Sequence, residues 1–505
     1  MDTHRSAVAT ISDRVKHFYS TKTAFRVYHG STNSTRHADF DPSTIVDVSA
    51  LNNILSISPS TLTATVEPNV PMHVLVRETT KVGLLPPVVM EFPAITVGGG
   101  FIGTAGESSS FKHGFFDRTV VEAEVVLANG DVVNASEKGG HEEKGLFEGL
   151  RGSFGTLGVL TCVKMRLVEM RRFVQVSYLP VTSFEHAVQT LQEETKRGEA
   201  DYVDGVLFAK DSGAIVTGRL TDKTPSSILP LRRFSRPWDE WFWVHAKSLV
   251  SKAVMTTELV PVDDYLFRYD RGAFWMGMYA YKHFMVPFTR LTRFLLDYFM
   301  HTRIMYHALH ASGYTDQYII QDIALPAPNT EAFVQWVHEK LGLYPLWLCP
   351  LRNDGRSSMG HPQEFGGAVG GKVDGVYEGE YINVGVWGPC PSSQTEYLRT
   401  NRELEDKVRE LGGLKWLYGR VFYTEDEWWQ IYDKTTYNSL RQKYNATSLP
   451  TIWDKVKDRV EANDAESGLT GLLKRKMKRN GLLSGLYGIY KAVRGGDYIL
   501  KQKKA

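Results

Sequence analysis

The sequence predicts an α+β protein with two large domains, a short return segment and a basic tail. Three observations carry this. A chain of 505 residues is too long for one small hydrophobic core. Up to residue 172 it reads as short β-branched runs separated by glycine turns. Beyond that point the order becomes β-α-β-β … α-β-β, the pattern of a split antiparallel sheet with helices on one face.

The elements follow in order. Ser12–Tyr19 reads as a short helix, and Phe25–Arg36 as a strand running into the small polar loop Gly30-Ser31-Thr32-Asn33-Ser34-Thr35, whose residue types favour turns. Ile45–Val48 and Leu62–Val66 read as strands. Pro71–Gly83 reads as a helix stopped by Gly83. Val121–Leu127 alternates, and Asn129-Gly130 is a hairpin signal before Asp131-Val132-Val133. Gly145–Gly152 is a short helix, followed by the turn Gly155–Gly158 and the strand Val159–Val168. Next come a strand Phe173–Leu179, a helix Phe184–Arg197 capped by Ser183, and a hairpin of Tyr202–Ala209 with Ala214–Leu220. Later elements are a helix Thr330–Leu341, strands Tyr344–Leu351 and Tyr381–Trp387, a helix Thr395–Leu411, a strand Gly419–Tyr423 and a helix Asp426–Tyr432.

Composition excludes several classes. Apolar residues at 42% and charged residues at 23% are ordinary for a soluble globular protein. A net charge of +2 argues against bulk nucleic-acid binding. Cys162, Cys349 and Cys390 are odd in number and lack metal spacing, so we expect reduced thiols and no metal. The N-terminus MDTHRSAVATISDRVKHF has no apolar h-region and is not expected to be a signal peptide. No run has the ~18 uncharged apolar residues of a spanning helix.

The protein is organised around Pro93–Asp117, PAITVGGGFIGTAGESSSFKHGFFD. Five glycines lie between Gly98 and Gly106, with Ser108-Ser109-Ser110 behind them and a short β-like segment, Ala94–Val97, in front. Glycine lets a backbone approach a ligand closely. Hydroxyls and exposed N–H groups together suit a pyrophosphate. Gly98–Gly103 also spells G-x-G-x-x-G, with Glu122 and Glu124 at about the ~20-residue distance of a ribose-binding acid. That dinucleotide motif should open an amphipathic helix, and Thr104–Asp117 is too rich in Gly and Ser for one, so this reading is rejected.

ITVGGGFIGTAGESSSFKHG closely resembles the flavin segment of the Δ24-sterol reductases (seladin-type), within the vanillyl-alcohol-oxidase-like FAD family. The resemblance extends through Val125–Gly130, Gly155-Thr156-Leu157-Gly158 and the stretches FRYDRGAFWMG, IIQDIALP and LWLCPL. It covers most of residues 25–460. The resemblance implies a PCMH-type FAD-binding domain at 1–172 and an α+β cap for substrate at 173–414, with an aromatic-rich insertion at 225–325. A return to the flavin at 415–460 and a basic amphipathic tail at 461–505 complete the organisation.

Carried over residue by residue, it implies FAD contacts at Gly30, Ser31, Thr32, Asn33 and Ser34 in the first loop. The second loop contributes Thr96, Val97, Gly98, Gly99, Gly100, Gly103, Thr104, Ala105, Gly106, Glu107, Ser108 and Gly114. Thr156, Gly158 and Val159 follow, with Asn438 near the C-terminus, where the sterol reductases usually have histidine. Tyr437 stands where they also carry tyrosine and is the expected catalytic acid; the alternative is an amphipathic helix in which it only packs. Glu107 could instead order the flavin loop. Covalent attachment in the family uses a histidine in the first loop or a cysteine before the second. Asn33 stands near the first place, His29 reads as structural and no cysteine is near Pro93–Thr96, so FAD is expected to be non-covalent.

NADPH is the expected donor, and an isolated side-chain alkene of a sterol or other isoprenoid the acceptor. The aromatics of the insertion, among them Trp241, Phe274 and Tyr298, are either core or the lining of an apolar channel. The alternative activity is an FAD-dependent oxidase or dehydrogenase of an alcohol or terpenoid substrate; a third reading is a flavin-bearing scaffold. Residues 470–505 carry ten Lys/Arg against one acid, Asp497, with apolar residues at near-helical spacing. Peripheral contact with an anionic membrane surface is therefore expected, and the resemblance implies the cytoplasmic face of the endoplasmic reticulum, or a cytoplasmic location. Animal members of the family carry an N-terminal anchor, and this sequence is not expected to carry one. Lys501 and Lys503 match a weak dilysine pattern.

Overall fold

The computed structural model describes residues 2–30, 32, 34–36, 40–251, 254–354, 358–362, 372–373, 376–390, 393–458 and 481–495. Its first part contains α1 (Asp2–Ser20), β1 (Arg26–Tyr28), β2 (Ile45–Asp47), β3 (Ile54–Ser58), β4 (Thr63–Val66), α2 (Met72–Thr80) and β5 (Leu84–Leu85). There follow α3 (Val97–Gly103), α4 (Ser110–His113), β6 (Val120–Leu127), β7 (Val132–Ser136), α5 (His141–Leu150), β8 (Gly158–Arg166) and β9 (Val168–Glu169). The strands β3-β4-β8-β6-β7 form an antiparallel sheet, while β1 pairs with β2 in parallel.

The second part begins with β10 (Phe173–Val181), α6 (Phe184–Arg197), β11 (Tyr202–Ala209), β12 (Ser212–Thr221), α7 (Phe242–Val250), β13 (Thr256–Pro261) and α8 (Val262–Leu266). It continues through α9 (Met276–His283), α10 (Arg290–Leu295), α11 (Thr302–Ser312), β14 (Tyr318–Pro326), α12 (Ala327–Lys340), β15 (Leu346–Asp354), β16 (Lys372–Val373) and β17 (Val376–Pro389). Then come α13 (Gln394–Glu410), β18 (Leu414–Lys415), α14 (Glu425–Ile431), α15 (Lys434–Lys443), α16 (Ile452–Val456) and α17 (Gly481–Arg494). Its sheet runs β13-β10-β12-β11-β15-β17-β14-β18, with β16 on β17. All its pairings are antiparallel.

Local chemistry explains the elements that matter here. The Ser183 hydroxyl accepts the His186 N–H and Gly198 closes α6 in the left-handed region at φ +70°, the common start and stop of a helix. Apolar residues of α6 and α12 pack on one face of the large sheet, where Leu191, Val334 and Val384 share a core. α1 is longer than expected. Val8, Ile11, Val15 and Phe18 bury its apolar stripe, and the Ser12 hydroxyl donates to the Gly130 carbonyl at 2.6 Å. The same core takes in Trp428, Tyr432, Tyr437, Ile452 and Val456, so the C-terminal segment folds back over β2 and α1.

Two expectations are corrected, and two further findings extend the reading. Ala94–Val97 is not a strand: Thr96 makes only an isolated bridge to Pro71 and caps α3, its hydroxyl accepting the Gly99 N–H at 3.2 Å. The three glycines thus sit inside a helix, where each costs about 1 kcal/mol relative to Ala. Close packing requires two of them. A Cβ on Gly98 would lie 2.7 Å from the Pro68 Cβ, and one on Gly100 would lie 2.4 Å from the Met90 Cε. Gly419–Tyr423 is no strand either, since Val421 forms a single bridge to Lys457. Strands β3 and β13 were not expected. The aromatic insertion divides by position: Trp241, Phe242, Trp275 and Tyr281 are buried, whereas Trp238, Phe294 and Tyr298 are exposed.

Candidate active site

A cavity of about 360 Å³ is lined from both sheets, from α3 and from the C-terminal return. Its two ends differ sharply in charge.

One end is cationic. Arg26, His29, Arg36 and Lys455 line it beside Thr32, Ser34, Phe154 and Gly155. The Lys455 ammonium donates to the Phe154 carbonyl at 2.5 Å, and the Arg36 guanidinium lies 5.7 Å from the centre of the Phe154 ring. Burial together with Arg26 and Arg36 pulls Lys455 down to about 7. Burial and Arg26 likewise lower Arg36 to about 10. Among the described residues, no carboxylate forms a salt bridge with Arg36 or Lys455. His29 Nδ1 and one Arg36 terminal nitrogen are buried without a hydrogen-bond partner. Buried charge and unpaired donors are costly, and an anion entering here would relieve both.

The other end carries acids and aromatic rings. Arg268 bonds the carboxylates of Glu91 at 2.7 Å and Asp204 at 2.9 Å. Asp204 also accepts from Tyr269 and from the Trp347 indole, and Glu91 from the Ser108 hydroxyl. Asp322 accepts from Tyr418 at 2.6 Å and from Asn383 at 3.0 Å. Glu107 lines the cavity between these groups. Burial, then Glu91 and Asp322, raise its carboxyl well above the ordinary range. Burial, opposed by Arg268, brings Glu91 up to about 7. One cation faces Glu91, Glu107 and Asp204 together, so burial and repulsion favour the protonated form of Glu107 relative to a free carboxyl. The wall here is apolar: Phe92 stacks edge-on to Phe274, Tyr306 and Trp387, and Phe274 touches Trp347.

The expected site residues divide accordingly. Thr32, Ser34, Thr96, Gly98, Gly99, Gly100, Gly103, Ala105, Gly106, Glu107 and Gly158 all line this one cavity. Ser31 and Asn33 lie outside the described residues. Gly30 adopts φ +84° just before the loop. Val97 and Val159 are buried in the core. Thr104 bonds His361 at 3.0 Å, Ser108 is held by Glu91, and Gly114 makes a turn at φ +74° over Arg118. None of these lines the cavity.

The mechanism of the small-residue stretch also differs from expectation. The N–H groups of Val97, Gly98, Gly99 and Gly100 bond to Val70, Pro68 and Thr96. The hydroxyls of Ser108, Ser109 and Ser110 are equally engaged. The segment therefore supplies room, at Gly99 and Gly103, where an added Cβ would meet no backbone, rather than free amides.

Tyr437 lies away from the cavity lining. Its hydroxyl donates to Thr156 at 2.7 Å and accepts the Ile452 N–H at 3.1 Å, with Trp429 stacked at 5.7 Å. Asn438 is exposed on α15. The expectation that this pair stands beside the ring is not met, because α15 packs its tyrosine into the core joining α1 to the return segment. Sequence reasoning missed Arg26, Arg36, Lys455, Glu91, Asp322 and Tyr418, and it read His29 as structural although it lines the cavity. The similar stretches quoted above contain Phe274, Asp322 and Trp347, and were the one available signal.

The residues fit FAD. Among the described residues Arg36 and Lys455 form no salt bridge with a carboxylate and suit a diphosphate, His29 Nδ1 and one Arg36 nitrogen are buried and unpaired, and Gly99 and Gly103 leave space alongside. Residues 6–136 match a family described as FAD binding domain, and with the site this defines an FAD-binding oxidoreductase of PCMH type. Much of the sequence is also similar to proteins named Delta(24)-sterol reductase. The Homo sapiens relative is 27% identical over 415 residues, which cover 80% of this protein and 76% of that one. The Arabidopsis thaliana relative is 28% identical over 426 residues, covering 79% and 74%. A shorter match, 30% over 144 residues, links 28% of the sequence to 27% of cytokinin dehydrogenase 9 of Oryza sativa subsp. japonica. The protein is a homologue of the Delta(24)-sterol reductases.

Two outcomes follow from this geometry. Tyr437→Phe removes a buried acceptor and donor, so chemical denaturation should show a loss of roughly 1–3 kcal/mol, with the FAD dissociation constant unchanged. A weaker FAD affinity at unchanged stability would contradict the placement. FAD affinity, measured by fluorescence quenching, should be tightest below pH 7, where Lys455 is charged. It should weaken as pH rises above 7, and Lys455→Met should bind weakly and without this pH dependence. A flat profile from acid to alkaline pH in the unaltered protein would refute the role of Lys455.

Proposed function

We propose that the protein reduces an isolated carbon–carbon double bond in the side chain of a sterol with NADPH, using non-covalently bound FAD. The observation that carries this reading is a buried carboxyl, Glu107, in an aromatic-walled cavity that Arg36 and Lys455 also line, with burial and neighbouring acids raising its affinity for a proton. Thr32, Ser34, Arg36 and Lys455 would hold the diphosphate side of FAD, with Ser31 and Asn33 of the same loop, and Thr96, Gly98, Gly99, Gly100, Gly103, Ala105, Gly106 and Glu107 the flavin side. When bound, FAD supplies hydride transfer from NADPH to a substrate carbon.

An isolated alkene has no carbonyl to polarise it, so it needs a proton from the protein. Glu107 gives that proton to the less substituted carbon, leaving positive character on the more substituted one, which accepts the hydride; NADPH leaves as NADP⁺. The carboxylate then formed faces Glu91 and Asp322, and this repulsion returns a proton to it from solvent. Phe92, Phe274, Tyr306, Trp347 and Trp387 exclude water and fit a rigid apolar ring system. An acid held in its protonated form favours reduction over the alcohol-oxidising alternative, which needs a base. The relatives' names support the sterol assignment. The basic tail beyond residue 470 would bring the enzyme to the membrane that stores such a substrate.

Anaerobic mixing tests the reaction. NADPH should bleach the flavin, and a sterol with an unsaturated side chain should restore its colour. In Glu107→Gln the bleaching should persist, while recolouring slows by roughly 10²–10⁴-fold. In the unaltered enzyme, recolouring should fall on the alkaline side, where Glu107 loses its proton. Bleaching by an alcohol substrate and not by NADPH would overturn the reading. Acid precipitation should leave the yellow flavin in the supernatant. A yellow pellet that turns colourless in His29→Ala would show covalent attachment instead.

A further inference from the structure

Two helices in the second half of the protein are built inside out. α17 lies along α11, where the Ser484 hydroxyl donates to the Ser312 carbonyl at 2.7 Å. Its buried side consists of Ser484, Gly485, Gly488 and Ala492. A Cβ on Gly488 would lie 2.5 Å from the Ala308 carbonyl oxygen, and one on Gly485 would lie 2.5 Å from the Phe284 ring. Leu486, Tyr490 and Val493 project from the opposite side with more than half of their surface exposed, and Tyr487 beside them is also exposed. α10 repeats the pattern. Leu291, Phe294, Leu295 and Tyr298 recur at i, i+3, i+4 and i+7, and all are exposed; Met285, next to Phe284, is 76% exposed. A helix on a water-facing surface turns its large apolar residues inward. Here they face outward on α17, which packs on α11 and Phe284, and on α10, which the Tyr281 hydroxyl ties to α9 by donating to the Thr292 carbonyl at 2.9 Å.

We infer that α10, Met285 and α17 form a docking face for an anionic lipid bilayer. The charges around the face decide the occupant. Lys491 lies over the Tyr487 ring and Arg494 donates to the Tyr490 hydroxyl, Arg303 and Lys491 both act on His307 of α11, and Lys282 and Arg290 lie on α9 and α10. Residues 481–495 contain no carboxylate. The one acid in residues 276–304, Asp297, is buried and bonded to Arg271 at 2.7 Å. A two-fold contact with a second copy would set two cationic rims against each other. An anionic bilayer instead neutralises the rim and takes up the apolar side chains. No helix among the described residues is long and apolar enough to cross a bilayer. The face includes a helix of the aromatic insertion in addition to the tail. It stands apart from the chemistry proposed above, since its readout is partition and not turnover.

The test uses the full-length protein with FAD and vesicles of phosphatidylcholine, with or without phosphatidylserine, read by co-sedimentation. The protein should sediment with the anionic vesicles, less so as salt is added. Phe294→Asp with Leu295→Asp on α10 should weaken binding by about tenfold or more, and so should Tyr490→Asp with Val493→Asp on α17. Ile228→Asp, at an exposed apolar residue elsewhere, should leave it unchanged. All these side chains are exposed, and an unaltered flavin spectrum confirms folding. Failure of the protein to bind anionic vesicles would overturn the proposal, as would indifference to either pair of substitutions. Concentration-dependent dimers abolished by the same substitutions would assign the face to a second copy instead.

Discussion

Arg268 is a fully buried guanidinium held between Glu91 and Asp204, and the rest of the site follows from this one ion pair. Glu91 belongs to the segment that leads into α3, Asp204 to the central strand β11 of the large sheet. The bond therefore joins the flavin half to the cap across the cavity. A charge so deep persists only with opposite charge beside it. Two carboxylates already occupy Arg268, so a third, Glu107, meets burial and repulsion without a cation of its own. The raised proton affinity of Glu107 is thus a consequence of how the two halves are fastened.

The opposite end shows the converse. The C-terminal segment returns over α1 and β2 and delivers Lys455 beside Arg36, with Gly155 only 3.6 Å from the ammonium by its Cβ position. Excess positive charge stands at one end and excess acid at the other. Tyr418 spans the two, its carbonyl accepting from Ser34 at 2.8 Å and its hydroxyl donating to Asp322 at 2.6 Å. Such a polarised cavity orients an extended ligand with an anionic centre and leaves its other end facing aromatic rings.

Much of this was legible because the signals were local. Ser183 and Gly198 bound α6 within a residue, and Asn129-Gly130 fixed the β6–β7 hairpin, since caps and turns depend on neighbours in sequence. Gly99 and Gly103 were found through the family resemblance of the glycine-rich stretch, whereas the dinucleotide motif that their spacing spells was rejected. The failures have physical causes as well. Gly98 and Gly100 resemble ligand-facing residues, yet they are small because Pro68 and Met90 press on them. α3 forms despite its composition because Thr96 caps it and tertiary packing outweighs propensity. Tyr437 matched a motif position, but which way α15 turns is decided by the core it shares with α1. Arg36, Lys455 and Glu91 carry no local signature; only the fold brings them to one cavity.

The central claim is that one cavity holds FAD by unbalanced cations at one end. Titrating the apoprotein with FAD and with riboflavin, which lacks the diphosphate and adenosine, tests it most directly. FAD should bind at least about a hundredfold more tightly, equivalent to roughly 2.7 kcal/mol. In Arg36→Met/Lys455→Met most of that gap should disappear, with riboflavin affinity retained. An undiminished gap in the double variant would contradict the account.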